Sequence, residues 1–324
     1  MPLKKILFRP GVNRENTRYA SESLGSVSTG TQSVGGWYES DKIRFRAGTP
    51  EKIGGWAPIS TAVFQGICRS IWNWVTLSGW NLLGLGTNLK FYLERGGTYY
   101  DITPIRTTTL LPNNPFSVSG PASSTTVTVN APLHGAGNND FVTFSGVTGT
   151  YATVLNKEFQ ITYVNANTYT ITTASAVAAG ATGGAAVSAA YQINTGATIE
   201  VPLTGWGSGL WGSGVWGSGS ATSQLIRLWS QSNFGEDLVF GPRGGAIYYW
   251  DATTDVTSRA VAVTSLAGAS DVPTVQNFIF ISDTSRFVFA FGCNDYGSST
   301  QDPMLIRWSC LLYTSPSPRD GLLS

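Results

Sequence analysis

Three segments of the sequence carry the same succession of short apolar or alternating runs, each ended by a Gly, Asn or Asp turn. They are residues 71–104, residues 225–259 and a third segment that begins at Val275. The first two end alike, in Gly96-Gly-Thr-Tyr-Tyr-Asp101 and Gly244-Gly-Ala-Ile-Tyr-Tyr-Trp-Asp251. Such runs are typical of strands, and repeated four-stranded units of about 35–50 residues are typical of β-propeller blades. The repeat predicts an all-β, β-propeller-like fold, and a sandwich with similar hairpins is the alternative.

The composition favours the same class. Charged residues make up 12% of the 324 residues, aromatic residues make up another 12%, and 38 residues are glycine. This mixture suits many short strands joined by tight turns and disfavours long amphipathic helices. The chain is long enough to bury a large core. Its three cysteines, Cys68, Cys293 and Cys310, do not form a disulfide framework.

Residues 115–200 interrupt the repeat and predict an inserted small all-β module, either a barrel or a sandwich. Strand-like runs recur at residues 125–129, 140–144, 158–163 and 168–172, with turn residues between them. Only four charged residues occur between positions 115 and 225: Asp140, Lys157, Glu158 and Glu200. A surface of Thr, Ser, Asn and Gly favours contacts with other proteins over electrostatic steering.

A Trp/Gly/Ser-rich loop, residues 201–224, follows the module. Its tryptophans, Trp206, Trp211 and Trp216, recur every five residues, which matches neither a helix nor a strand. Large aromatic side chains are costly to leave in water, so we expect these three to pack on the parent domain or to form an interface with another subunit. A platform for carbohydrate is the alternative.

The N-terminal residues 1–60 form a basic arm followed by the first strands. Residues 41–46 alternate, with Ile43 and Phe45 on one face of a predicted strand and Lys42, Arg44 and Arg46 on the other. A charged face of this kind is either simply solvated or a binding surface. The candidate contacts to DNA or to an adaptor protein are Arg9, Arg14, Arg18, Lys42, Arg44, Arg46 and Lys52.

Several blocks of the sequence resemble, in order, the tail hub or nozzle proteins of short-tailed bacteriophages. The blocks are Arg9-Pro-Gly-Val-Asn-Arg-Glu-Asn-Thr-Arg-Tyr19 with residues 36–56, the Trp-Gly run before Arg227-Leu-Trp-Ser230, residues 234–251, and residues 271–293. They are spread over residues 1–309. Residues 24–34 depart from the pattern because they lengthen the link between Tyr19 and Gly36.

The resemblance implies a non-enzymatic structural protein of the virion tail, made in the host cytoplasm. It implies a homo-oligomeric ring below the portal and adaptor proteins, forming part of the channel for DNA retention and ejection, with non-specific DNA contact in that channel. The alternative function is a receptor- or glycan-binding tail protein that uses the Trp-rich loop. A propeller glycosidase is a third hypothesis.

The last residues, 310–324, resemble translated sequencing adapter rather than a natural terminus. We therefore expect the natural gene to continue and the propeller-like array to be incomplete. The predicted organisation is residues 1–60, a blade region at 61–114, the module at 115–200, the Trp-rich loop at 201–224, a second blade region at 225–309 and the tail at 310–324.

The sequence offers little catalytic chemistry. His134 is the only histidine and lies in a Gly/Asn turn, so a zinc site is not expected. Residues 84–90 lack the spacing of a phosphate-binding loop, and no nucleophile elbow of a serine hydrolase occurs. Glu236 and Asp237 are expected to lie in a solvated turn. We predict no enzymatic activity, no cofactor, no signal peptide and no membrane-spanning segment.

Overall fold

The structure is a computed structural model that describes residues 11–12, 37, 39–47, 49–55, 57–58, 60–118, 123–178, 180, 182–200 and 225–309. The chain forms two compact units, Met1–Ile59 and Ser60–Ser324. Regular structure in the described residues is almost entirely antiparallel strand, with one helical turn, α1 (Ala152–Leu155), and one 3₁₀ turn, Val263–Ser265. The prediction of an all-β fold is therefore confirmed. None of the described helical segments has the length and apolarity that a bilayer crossing requires.

The described part of the first unit is a hairpin of β1 (Ile43–Arg46) and β2 (Thr49–Lys52). Strand β1 begins two residues later than the alternation predicts, because Lys42 has a left-handed backbone with φ of 58°. Trp37 packs edge-on against Phe45, with ring centroids 6.0 Å apart.

The second unit opens with a four-stranded antiparallel meander, which we call the first sheet. Its strands are β3 (Cys68–Val75), β4 (Asn81–Thr87), β5 (Phe91–Arg95) and β6 (Thr98–Asp101).

Two further four-stranded sheets form the inserted module. Their strands are β7 (Ile105–Leu110), β8 (Phe116–Ser117), β9 (Ser124–Asn130), β10 (Phe141–Ser145), β11 (Glu158–Gln160), β12 (Thr162–Asn165), β13 (Thr168–Val177) and β14 (Ser188–Gln192). The inserted module here includes a strand, β7, that precedes residue 115. One sheet has the order β11-β10-β14-β7 and the other has the order β12-β13-β9-β8. They enclose an apolar core that includes Phe116, Phe144 and Tyr169, which arranges the module as a sandwich.

The chain crosses between the module's two sheets at Ile161. Its side chain is buried in the module core. Its amide donates to the carbonyl of Asp140, and its carbonyl accepts from the amide of Asn139. The single run at residues 158–163 is therefore two strands, β11 and β12, in different sheets.

Two more meanders follow the Trp-rich loop. The second sheet contains β15 (Trp229–Phe234), β16 (Asp237–Pro242), β17 (Tyr248–Trp250) and β18 (Val261–Ala262), and the third sheet contains β19 (Phe278–Ile281), β20 (Val288–Phe291) and β21 (Ile306–Trp308).

The first, second and third sheets are stacked face to face. One apolar cluster joins the first sheet to the second through residues such as Phe91 and Phe240, and another joins the second to the third through residues such as Val239 and Ile279. Two apolar cores buried between successive sheets are the main source of stability for this part of the chain.

Hydrogen bonds connect the leading strands of successive sheets. Gln231 Nε2 donates to Ser70 Oγ over 2.5 Å. The amides of Ile279 and Ile281 donate to the hydroxyl groups of Ser230 and Ser232, each over 3.1 Å. The direction of stacking, from one leading strand to the next, is therefore the same at both junctions.

Candidate interaction surfaces

The N-terminal hairpin presents a smaller basic surface than the alternation predicts. Arg44 and Arg46 point to one side of β1, and Arg44 pairs with Glu51 on β2 over 2.5 Å. Lys52 pairs in register with Ile43 and so belongs to the opposite side. Lys42 precedes the strand, and its exposed side chain lies 3.6 Å from Asp41. Of the four predicted contacts in this hairpin, the geometry brings only Arg44 and Arg46 together.

The other predicted contacts fall outside the described residues. They are Arg9, Arg14 and Arg18 of the basic arm and Trp206, Trp211 and Trp216 of the Trp-rich loop.

A partly buried ionic cluster connects the module with the first and second sheets. Lys90 has a side chain only 4% exposed, and its ammonium contacts Glu158 at the start of β11 and Asp101 at the end of β6, the latter over 2.8 Å. Arg259, just before β18, reaches Asp101 over 3.4 Å and Glu158 over 3.3 Å. The two cations and two carboxylates alternate, so each charge has two neighbours of opposite sign.

The cluster changes the acidity of Asp101. Burial alone would raise the pKa of Asp101, but Lys90 and Arg259 outweigh it and hold that pKa below its usual value. Burial raises the pKa of the adjacent Tyr92 to about 12. Asp101 also accepts a hydrogen bond from the amide of Thr103 over 3.0 Å. Because all four charged groups are paired, the cluster is a structural connection rather than a site awaiting a ligand.

One face of the third sheet is an exposed apolar surface. Its side chains alternate along the strands with the residues that face the second sheet. We call it the apolar face of the third sheet, and its members are Phe278, Phe280, Phe289, Phe291, Ile306 and Trp308.

These six side chains form two rows across the three strands. Phe280, Phe289 and Trp308 are opposed in register, as are Phe278, Phe291 and Ile306. Phe280 and Phe289 stack with ring centroids 4.8 Å apart and an interplanar angle of 5°. Even so, Phe278 is 52% exposed and Trp308 is 61% exposed. Contiguous exposed surfaces of this kind mark interaction sites.

A cavity of about 720 Å³ lies between the second and third sheets, at the open edge of the third. Its lining is mainly apolar and includes Val239, Tyr249, Val263 and Val288. Arg307, which also lines the cavity, donates to the backbone carbonyls of Asn294 and Asp271. The cavity is therefore a packing gap at an incompletely covered edge.

The titratable groups that the sequence singled out have structural partners. His134 Nδ1 accepts from the amide of Ala136 over 3.0 Å, and its Nε2 lies 2.9 Å from the carbonyl of Asn165, an arrangement that places the ring proton on Nε2. Burial raises the pKa of Asp237, which accepts hydrogen bonds from the hydroxyl of Tyr249 and the amide of Ala252. No group of three His, Cys, Asp or Glu side chains suited to a metal ion occurs in the described ranges.

The sequence did not single out the two most informative features. The apolar face had a local signal, the alternation of Phe278-Ile-Phe-Ile281, in which both sets of side chains are apolar. Such a strand is expected to be covered on both faces. The ionic cluster had no local signal, because its four members come from separate parts of the chain.

Comparisons with known proteins give little guidance. No protein-family model matches the chain, and no curated protein matches it. Among solved structures, the chain is similar to a protein described as Phage phi92 endosialidase, with 16% sequence identity and a TM-score of 0.23. The match covers 75% of this chain and 36% of that one, so the chain spans about a third of the length of the structure it matches. A likeness this weak leaves function to be argued from the residues themselves.

Proposed function

We propose that the chain is a non-enzymatic structural protein of a bacteriophage tail, specifically a hub or nozzle subunit. In this role it forms part of the channel that retains DNA and releases it. The observation that carries the proposal is the apolar face of the third sheet. Four of its six side chains, Phe278, Phe280, Ile306 and Trp308, are exposed in the described part of the chain, and an apolar surface of this kind is suited to contact with a further sheet or with another subunit.

The order of the sequence blocks supports the same role. The basic N-terminal motif, the Trp-Gly run and residues 234–251 follow one another as in the hub and nozzle family. The stacked sheets suit a propeller-like domain, since propeller blades bury their faces only against neighbouring blades.

The partners that follow are other virion proteins, namely the portal, the adaptor and further copies of this chain in a ring. The chain is made in the host cytoplasm and works in the virion tail. Contact with DNA would be weak and independent of sequence, through Arg44 and Arg46 and the basic arm before them. No cofactor takes part.

A receptor- or glycan-binding tail protein is the competing function, favoured by Trp206, Trp211 and Trp216. Successive aromatic side chains can form a stacking platform for sugars as well as an interface with protein.

The test begins with the genes that flank this one in the source DNA. If these encode portal and adaptor proteins, each is co-expressed with this chain, and complexes are examined by affinity capture and electron microscopy. We expect capture by the adaptor and ring-shaped particles.

A variant with Trp206, Trp211 and Trp216 all replaced by Ser separates the two functions. Weaker assembly in the variant, with unchanged monomer folding, supports the hub. Unchanged assembly together with the loss of measurable glycan binding contradicts it and favours the receptor-binding protein.

A further inference from the structure

Two arginine side chains near the junction of the module with the second sheet have no carboxylate at ion-pair distance in the described part of the chain. Arg106 lies on β7, and Arg227 lies just before β15. By contrast, Arg243 is paired with a carboxylate, and Arg259 is paired with two. The positive charges of Arg106 and Arg227 are therefore not neutralised at close range by the residues described.

A neutral backbone carbonyl holds each of these two guanidinium groups. Arg106 Nη2 donates to the carbonyl of His134 over 3.2 Å, and Arg227 Nη2 donates to the carbonyl of Asn194 over 2.5 Å. A guanidinium has five N–H donors, and a carbonyl brings no negative charge. Both side chains are therefore positioned by the protein while further donors stay available to a ligand.

Glycines provide the space in which the two arginines lie. A Cβ on Gly135 would be 2.9 Å from Nη1 of Arg106, and a Cβ on Gly196 would overlap the side chain of Arg227. Arg227 also lies over the ring of Trp229, with its Cζ 5.5 Å from the ring centroid. Close packing of this kind requires glycine at both positions and fixes where each guanidinium lies.

Asn194 connects the two arginines. Its Nδ2 donates to the carbonyl of Gly135 over 3.5 Å, next to the guanidinium of Arg106. Its own carbonyl accepts the hydrogen bond from Arg227. One residue of the chain that leaves the module therefore contacts the surroundings of both cations, which brings Arg106 and Arg227 to the same junction.

The charge of Arg227 is poorly compensated where it lies. Burial lowers the pKa of Arg227, and the charges of Tyr248 and Asp140 oppose this only in part. The carboxylate of Asp140 lies beyond ion-pair distance and already accepts hydrogen bonds from the amide and the hydroxyl of Thr195. A half-buried cation in this situation gains from an added anion.

Tyr248, on β17, is within the electrostatic reach of both arginines. Burial raises the pKa of its hydroxyl, and the charges of Arg227 and Arg106 oppose that rise. The half-buried phenol stays protonated at neutral pH and can donate a hydrogen bond. The junction thus combines two cations with one neutral donor.

We propose that Arg106, Arg227 and Tyr248 form a binding site for one oxyanionic group, a carboxylate or a phosphate, of a ligand at the junction of the module with the second sheet. The planar guanidinium groups match the oxygens of such a group, to which they donate in pairs. Two cations suit a single anionic group better than DNA, whose binding depends on many phosphate contacts.

The test uses inorganic phosphate, the sugar carboxylate glucuronate, and neutral glucose as a comparison. Each is titrated into the purified full chain at constant ionic strength, and binding is followed by ligand-observed NMR and by the midpoint of thermal unfolding. We expect at least one of the two anions to bind and glucose not to bind. Stronger binding of phosphate would indicate a phosphorylated ligand, and stronger binding of glucuronate would indicate a ligand with a carboxylate.

Two variants test the assignment of the site. Arg106→Gln and Arg227→Gln should each weaken anion binding about tenfold or more, because each removes charge-assisted hydrogen bonds. Arg227→Lys keeps the charge but not the paired donors, so it should lose less affinity than Arg227→Gln.

The matched control is Arg95→Gln on the first sheet. The guanidinium of Arg95 also lies over an indole, with its Cζ 3.6 Å from the ring centroid of Trp80. This variant should bind the anions as the unmodified chain does. Circular dichroism checks that every variant keeps its strands.

Three results would overturn the proposal. The first is that neither anion binds to the unmodified chain. The second is binding that both glutamine variants leave unchanged, because the anion would then lie elsewhere. The third is binding of double-stranded DNA but of neither small anion, lost in both glutamine variants, which would indicate a nucleic acid surface instead of a site for a single anion.

Discussion

Phe91 of the first sheet stacks on Phe240 of the second, with ring centroids 3.9 Å apart and an interplanar angle of 15°. Both rings are fully buried, and the module and the Trp-rich loop separate them along the chain. Trp229 packs edge-on against Phe91 at 5.0 Å. This aromatic group is therefore the centre of the junction between the two sheets.

Phe240→Ala should lower the free energy of unfolding by about 3–5 kcal/mol, because it leaves a cavity between two sheets that cannot easily collapse. Urea unfolding followed by tryptophan fluorescence measures the change. Leu133→Ala, at an 84% exposed position in the module, is the control and should change stability by no more than about 0.5 kcal/mol. A similar loss of unfolding free energy in both variants would show that the stacked pair Phe91 and Phe240 is not central to stability.

Gly86 gives a second test of the same junction. A Cβ at this position would lie 2.4 Å from Cδ1 of Trp229, and the indole is held in place by a 2.7 Å hydrogen bond from Nε1 to the carbonyl of Thr87. Gly86→Ala should therefore destabilise the protein by about 1–3 kcal/mol through overpacking. In the control Gly137→Ala, the nearest atom to the new Cβ is 3.7 Å away. If the two alanine variants unfold at the same urea concentration, the close approach of the sheets at Gly86 is not required for stability.

Lys90→Met should be strongly destabilising. It removes the buried cation between Asp101 and Glu158 and leaves two carboxylates with Arg259 alone. Breaking a buried ion pair in this way costs about 3–5 kcal/mol. A double-mutant cycle with Glu158→Gln measures the coupling between the module and the first sheet, which should lie between about 0.5 and 3 kcal/mol. Additive losses would mean that Lys90 and Glu158 act independently.

The ionic cluster also predicts a pH dependence. The pKa of Asp101 is lower in the folded chain than in the unfolded chain, so the ionised carboxylate stabilises the fold above the ordinary aspartate pKa. That contribution is lost as the pH falls below the ordinary aspartate pKa and then through the lower pKa that Asp101 has in the folded chain. Asp101→Asn should therefore be less stable than the natural chain at neutral pH, and the difference should shrink in acid. The control Asp283→Asn, at an exposed position, should show no such convergence.

The N-terminal hairpin predicts unequal roles for its two exposed arginines. Arg44 is already paired with Glu51, whereas no carboxylate in the described residues lies within ion-pair distance of Arg46. If this surface holds DNA, Arg46→Glu should reduce retention at low salt more than Arg44→Glu does, without base preference. Lys157→Glu on the module is the charge-matched control. Filter binding at several salt concentrations measures retention, and adaptor capture is measured separately. No change in either assay would mean that the hairpin is simply solvated.

The strand pattern could be predicted from the sequence because it is a local signal. The runs at residues 125–129, 140–144 and 168–172 correspond to β9, β10 and β13, since alternation and turn residues suffice to define a short strand. Strand β14 was not predicted. Its sequence, Ser-Ala-Ala-Tyr-Gln, has few of the residues that favour strands, and it is held by pairing with β7 and β10 on either side.

The surfaces could be predicted less well, because they depend on which sheets meet. Phe280 and Ile279 are adjacent apolar residues of one strand, and only the stacking decides that Ile279 is buried while Phe280 faces outwards. Likewise, the pairing of Lys90 with Glu158 requires the module to fold back on the first sheet. No spacing in the sequence encodes that contact.

The module leaves and rejoins the rest of the chain at one point. Ile105, its first strand residue, is the register partner of Gln192, its last, so the incoming and outgoing chain lie side by side. Because the two ends of the insertion are adjacent, it adds almost no distance between the residues that flank it in the rest of the chain. During evolution, this module could therefore be replaced by a larger, a smaller or an unrelated one while the sheets on either side keep their relative positions. Variation in the module could then be inherited separately from the sheets that carry it.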